Sequence, residues 1–220
     1  MKILAFDTAT QQCSVALFNK GAIQAISQTA VNQHAEILLP LIDNLLAEAS
    51  ISLSQLDLIA FSRGPGSFTG LRIGASLAQG LACAYDLPVA PISTLQSLAQ
   101  DAYHRLGATH VASAMDARMQ QLYWGTYTLN TAGIMTLIGV ESVIDPQQAT
   151  LAHPGWAGVG TAWSVYATTL APLRAQLVAV DDEALPQAAT LIPLAQYLHA
   201  QNLTVPAEQA LPIYLRDKVC

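Results

Sequence analysis

The chain has 220 residues, of which 52% are hydrophobic and only 11% charged, with a net charge of −6 and a pI of about 5.1. That length supplies one large domain or two small ones with a real core. Nine Lys and Arg against fifteen acids argue against a chain that holds nucleic acid by itself, because phosphate neutralisation needs clustered cations. So little charge also implies either extensive burial or an apolar surface that meets a partner. Cys13, Cys83 and Cys220 are scattered and form no CxxC pair, which speaks against a disulfide framework or a zinc site and fits a reducing cytoplasm. Asp7 interrupts the N-terminus too early for a signal peptide, and no apolar run approaches the roughly 20 residues of a membrane span.

Residues 2–7 (KILAFD) form an apolar run ending in an acid, the pattern of a buried strand. Residues 13–19 and 22–29 follow as strands around a hairpin turn at Gly21. Asn32 is placed to cap a helix over about 33–49. There Ile37, Leu38, Leu41, Ile42, Leu45 and Leu46 make a wide apolar face, and Pro40 inside it predicts a kink or restart. Residues 56–61 are a fourth strand, which runs into the loop GPGSFTG, with Gly64, Gly66 and Gly70 inside seven residues. A helix over about 69–85 follows. Gly70, Gly74, Ala78 and Ala82 recur along it every four residues beside a bulkier ridge of Ile73, Leu77 and Leu81. Residues 86–91 lead into a short strand. Ser93 or Thr94 then caps a helix to about Leu106, and Gly107 ends it.

The second half repeats the first. AFDTATQQCSVALF at 5–18 recurs as AMDARMQQLYWGTY at 114–127, so Asp116 lies 109 residues after Asp7, about half the chain. This predicts two halves, 1–106 and 107–220. Weaker signals place a short helix start at 145–151, a strand at 156–160, helices at 161–170 and 188–201, and an extended tail at 211–216. Two β-β-β-α-β-α copies describe an α/β protein with the duplicated actin-like (ASKHA, ribonuclease H-like) fold.

The chemistry the residues allow is limited. The glycine loop between a strand and a helix either holds a phosphate on backbone N–H groups or seats the helix on its sheet. GPGSFTG lacks the Lys-Ser/Thr of a P-loop, and no lysine occurs between Lys20 and Lys218. Arg63 and Arg72 flank the loop as anion ligands or as solvated charges. Asp7 either coordinates a cation near a phosphate or caps the turn at Thr8–Thr10. Ser67 or Thr69 reads as a helix N-cap rather than a nucleophile, since GPGSFTG is not GxSxG. The five histidines show no metal-ligand spacing. Asp116 and Arg118 read as a turn acid with a local salt bridge.

ILAFDTAT, SRGPGSFTGLRIG, MDARMQQLYWGTY and the tail PIYLR together resemble the TsaB family, with matches spread from residue 3 to residue 216. The resemblance implies an actin-like accessory subunit, not an enzyme, required for threonylcarbamoyladenosine modification of tRNA next to the anticodon. It implies binding to a catalytic TsaD-like subunit and to a TsaE-like ATPase, pairing as a homodimer when alone, and contact with tRNA only through the complex. ATP and metal are expected in the partners, with no cofactor of its own. TsaD-like chains carry an HxxxH metal motif where this chain has Thr94 and Leu98. Asp7, Gly64, Gly66 and Ser67 then become relics of a nucleotide cleft, with Asp7 in a structural role. The first two long helices become the partner surface, through Ile37, Leu38, Leu41, Ile42, Leu45, Gly70, Ile73, Gly74, Leu77, Ala78 and Leu81. The alternative function is an independent ATP-dependent phosphotransferase or ATPase. A peptidase has no nucleophile–base pair to support it.

Overall fold

A computed structural model describes residues 1–216, so Lys218 and Cys220 lie outside the described residues. In chain order the first elements are β1 (Ile3–Asp7), β2 (Gln12–Asn19), β3 (Ala22–Thr29), α1 (His34–Glu48), β4 (Leu58–Gly64), α2 (Phe68–Tyr85), β5 (Val89–Ser93) and α3 (Thr94–Leu106). They are followed by β6 (His110–Asp116), β7 (Leu122–Leu129), β8 (Met135–Ile144), β9 (Trp156–Val159), α4 (Ala162–Val165), α5 (Ala167–Arg174), β10 (Leu177–Asp181) and α6 (Ala188–Ala200). One sheet has the order β3-β2-β1-β4-β5 and the other β10-β9-β6-β7-β8, which is the same order read from the other edge. This repeated topology is the duplicated actin-like α/β fold.

The chain divides into two compact units. The first contains Met1–Thr94 and Pro186–Ile213, the second Leu95–Leu185 and the residues from Tyr214. They differ from the sequence halves 1–106 and 107–220 because the last helix of each half is exchanged: α3 belongs to the second unit and α6 to the first.

In the first unit β1 is central. It runs antiparallel to β2, with Asp7 opposite Ser14, and parallel to β4. Both faces of β1 are covered, so all five of its residues are buried and its sequence is a continuous apolar run. Leu4 and Phe6 on one face join Val15, Leu17, Phe61, the α1 residues Leu38, Leu41, Ile42 and Leu45, and Ala75, Ala78 and Ala82 of α2 in one cluster. Burying each large side chain contributes about 1.5–3 kcal/mol. α6 packs on β1, β2, β4 and β5 outside that cluster, and so covers the other face. Asn32 does not cap α1. It stands outside the helix at φ 60°, and Gln33 takes the cap position without a side-chain bond. α1 continues through Pro40, which lies on the exposed side where water can reach the carbonyl it leaves free.

The second unit repeats the plan. Val111 and Met115 of β6 meet Leu95, Leu98, Ala99 and Ala102 of α3, while Ala112 and Ala114 on the other face meet Trp163 and Leu170 of α4 and α5. The expected helix over 161–170 is broken at Tyr166 into α4 and α5, and the expected helix start at 145–151 is a single turn over Pro146–Gln148. The tail 211–216 forms no strand and bends at Leu215, so the expected extended element is absent there. The Ile213 N–H donates to the Arg63 carbonyl at 2.7 Å.

Candidate functional site

The glycine loop is filled by the chain itself. The turn after β1 lies in it, so that Ser67 N–H donates to the Ala9 carbonyl at 2.7 Å and the Thr8 hydroxyl donates to the Gly70 carbonyl at 2.8 Å. A Cβ at Gly66 would stand 2.4 Å from the Ala9 carbonyl oxygen, and one at Gly70 would stand 2.0 Å from that of Thr8. Gly64, at φ +117°, would bring a Cβ within 2.5 Å of the Ile213 carbonyl oxygen. Backbone approach, rather than phosphate, accounts for these glycines. Ser67 caps α2 by accepting from Gly70 N–H at 3.3 Å, as the sequence predicts. Arg72 lies over the Phe68 ring at 3.8 Å, and Arg63 keeps a buried Nε without a hydrogen-bond partner among the described residues.

Asp7 ends β1 with no exposure to solvent. Its Oδ1 accepts from Ala9 N–H at 2.9 Å and its Oδ2 accepts from the Ser62 hydroxyl, so the carboxyl shapes the turn that fills the loop. Burial pushes its pKa above the ordinary carboxylate value, against the opposing pull of the Ser62 and Ala9 bonds and of His34. Burial, and then the Asp7 charge, push the Cys13 thiol up to about 12. Neither group is held as a ready nucleophile.

The helix residues singled out in the sequence divide between two faces. Leu38, Leu41, Ile42 and Leu45 are core, and Gly70, Gly74 and Ala78 face inward. A Cβ at Gly74 would meet the Thr8 hydroxyl at 2.6 Å, so this small ridge seats α2 on its own unit. Ile37, Ile73, Leu77 and Leu81 are half-buried at the edge of that core. The open side of α2 carries a second small row, Ser76, Gly80 and Ala84, with Phe68 and Tyr85 near its ends. A Cβ at Gly80 would meet nothing within 4 Å. On α1 the open side carries Leu39, Asp43 and Ala47. The sequence did hold a signal for Gly80, an interior helical glycine costing about 1 kcal/mol that the inward row does not need. The two rows share one period, so only packing tells them apart.

The turn after β6 begins like the turn after β1. The Asp116 Oδ1 accepts from Arg118 N–H at 2.9 Å, as Asp7 does from Ala9, and also from the Tyr166 hydroxyl at 2.8 Å. Burial and this bond to Asp116 push the Tyr166 hydroxyl up to about 12. Arg118 Nη1 lies 3.2 Å from Asp116 Oδ2, the expected local ion pair. Arg118, Met119 and Gln120 then stand at φ 61°, 54° and 59°. Left-handed backbone costs a non-glycine residue about 1–2 kcal/mol. Arg216 braces the turn, donating to Gln121 Oε1 at 2.7 Å, to Met119 Sδ at 3.2 Å and to the Arg118 carbonyl at 3.3 Å.

A family model described as TsaD, tRNA N6-adenosine threonylcarbamoyltransferase, matches residues 22–219. The chain is 39% identical to the Escherichia coli tRNA threonylcarbamoyladenosine biosynthesis protein TsaB, covering 100% of this chain and 96% of the relative. It is 39% identical to the Haemophilus influenzae protein of the same name, with 100% and 95% covered. Among solved structures, YeaZ from Pseudomonas aeruginosa superposes with a TM-score of 0.89 at 43% identity, over 97% of this chain and 99% of that one. A second Pseudomonas aeruginosa structure, described as similar to peptidase YeaZ, gives 0.92 at 44% identity over 98% and 99%.

Proposed function

The chain belongs to the TsaB family, and from that premise we propose that it is a non-catalytic subunit in threonylcarbamoyladenosine modification of tRNA. It binds and activates a TsaD-like catalytic subunit, and a TsaE-like ATPase joins the pair. ATP and metal belong to those partners, and tRNA is reached through the complex. The observation that carries this reading is the filled glycine loop. Thr8 and Ala9 occupy the space that a phosphate would need against Gly66 and Gly70, and Asp7 is committed to holding that turn.

The open sides of α1 and α2 are the partner surface in this reading. A helix exposing Ser76, Gly80 and Ala84 lets another helix approach closely, and Phe68, Leu39 and the half-buried Ile73, Leu77 and Leu81 supply apolar area. The same surface pairs two copies when the partner is missing. No described helix is long and apolar enough to cross a membrane, and the complex is assigned to the cytoplasm.

The deciding experiment is reconstitution. Purified TsaD-like and TsaE-like subunits with tRNA, an activated threonylcarbamoyl donor and ATP should form threonylcarbamoyladenosine only when this chain is added. Product formation at full rate without it would overturn the proposal. Heat of Mg-ATP binding to the isolated chain, lost in Asp7→Ala, would favour the alternative of an independent phosphotransferase or ATPase.

A further inference from the structure

α2 ends on a charge that its own unit does not use. Asp86 closes the helix at φ 52°, with its backbone N–H donating to the Ala82 carbonyl. Glycine or asparagine is the ordinary residue in that left-handed position. A carboxylate there also stands at the negative end of the helix dipole, and the last turn of α2 holds no basic residue to offset it. The Asp86 carboxylate has no hydrogen bond or ion pair among the described residues. The fold therefore gains nothing from it.

Asp86 lies in the wall of a cavity of about 490 Å³, within the usual range for small-molecule sites. One wall is the end of α2 and the residues after it, with Cys83, Asp86 and Leu87, and the other is residues 204–208, with Val205, Pro206 and Glu208. The Glu208 carboxylate likewise has no partner among the described residues. No Lys, Arg or His among the described residues lines the cavity. Both walls are fixed. Val205 exchanges backbone hydrogen bonds with Val89 at 2.8 and 2.9 Å, and Leu87, Val205 and Ala207 pack against the core of the first unit.

We propose that this cavity binds a small organic cation, an ammonium or guanidinium on an aliphatic stem. Two carboxylates and the carbonyl end of α2 set the charge, and an ionised carboxylate makes its strongest hydrogen bonds to such donors. Leu87, Val205 and Pro206 give the stem an apolar wall, and fixed walls lower the ordering cost of binding. An anion would meet only like charge. A metal ion fits less well, because no group of three or more His, Cys, Asp or Glu among the described residues is placed to hold one. The proposal needs no partner chain, since every lining residue belongs to the first unit.

The test uses the full chain and agmatine, which carries both kinds of cation on one aliphatic stem. Cys83 is exposed in the cavity wall, so its alkylation by iodoacetamide, mapped by mass spectrometry, reports occupancy. Agmatine should slow that alkylation saturably, while sodium chloride at equal ionic strength and n-pentanol leave it unchanged. Asp86→Asn combined with Glu208→Gln should weaken the protection at least about tenfold. Asp86→Asn alone should weaken agmatine binding and yet raise the thermal midpoint of the free chain, because it removes a charge from the negative end of α2. A lower midpoint would assign the carboxylate to the fold and overturn the proposal. Protection that is absent, or that survives in the double variant, would overturn it as well. So would weaker binding of a TsaD-like subunit to the double variant with no agmatine protection of the unaltered chain, which would assign both carboxylates to a basic side chain of that partner.

Discussion

The turns after β1 and β6 start from the same acid and the same hydrogen bond to the second residue on. After β1 the turn is buried and packs between Gly66 and Gly70, so small side chains and close backbone contact are required. After β6 the sequence is Ala-Arg-Met-Gln, and the turn stands in solvent. The α2 helix repeats the contrast at its own scale, with an inner row of small residues against Thr8 and an outer row with nothing against it. The same local start therefore leads to two packings, a turn buried against α2 in one copy and a turn exposed to solvent in the other.

Gly70→Ala should give the largest effect. A Cβ 2.0 Å from a backbone carbonyl has nowhere to go, so a loss of about 3 kcal/mol or more is expected in urea unfolding. A native midpoint in that variant would show that the turn after β1 does not press against Gly70. Asp7→Ala comes next. It leaves the buried Ala9 N–H unpaired and should cost about 1–3 kcal/mol, whereas Asp116→Ala, at a partly exposed turn, should cost less.

The Asp7 carboxyl also supplies a pH test. Its folded pKa is raised, so its contribution to stability is complete below the ordinary carboxylate value and is lost as pH rises through the folded value. Asp7→Asn keeps an acceptor for Ala9 and does not titrate. Its stability relative to the unaltered chain should therefore improve as pH rises through that window, and parallel stability curves would contradict the buried-carboxyl account. The smallest effect is expected at Gly80→Ala, which should stabilise the isolated chain by about 1 kcal/mol because the outer side has room for a methyl group. Destabilisation there would mean that the outer row is not free.

Much of this was legible in the sequence. The apolar run ending in Asp7, the cap at Ser67 and the 109-residue repeat all concern local or strongly periodic features. The helix faces were not legible, because rows at 70, 74, 78 and 76, 80, 84 are both four-residue rows, and only the sheet decides which is inside. β8 escaped notice because Leu137, Ile138 and Val140 are exposed on an edge strand interrupted by Gly139, so no alternation marks it. The exchange of α3 and α6 was hidden because connectivity along the chain does not say which sheet a helix covers. The filled loop required atoms as well. GPGSFTG serves a phosphate or a neighbouring backbone equally well until Thr8 and Ala9 are seen inside it.

In the proposed function the chain binds its TsaD-like partner through the outer faces of its first two helices. That contact is tested most directly by measuring the affinity of the TsaD-like subunit for Gly80→Arg against the unaltered chain. Position 80 has space for a side chain without disturbing the unit, so the account predicts an unchanged fold and a loss of binding of at least about a hundredfold, as for a charge placed at the centre of a close helix contact. Native affinity in a folded Gly80→Arg chain would contradict it.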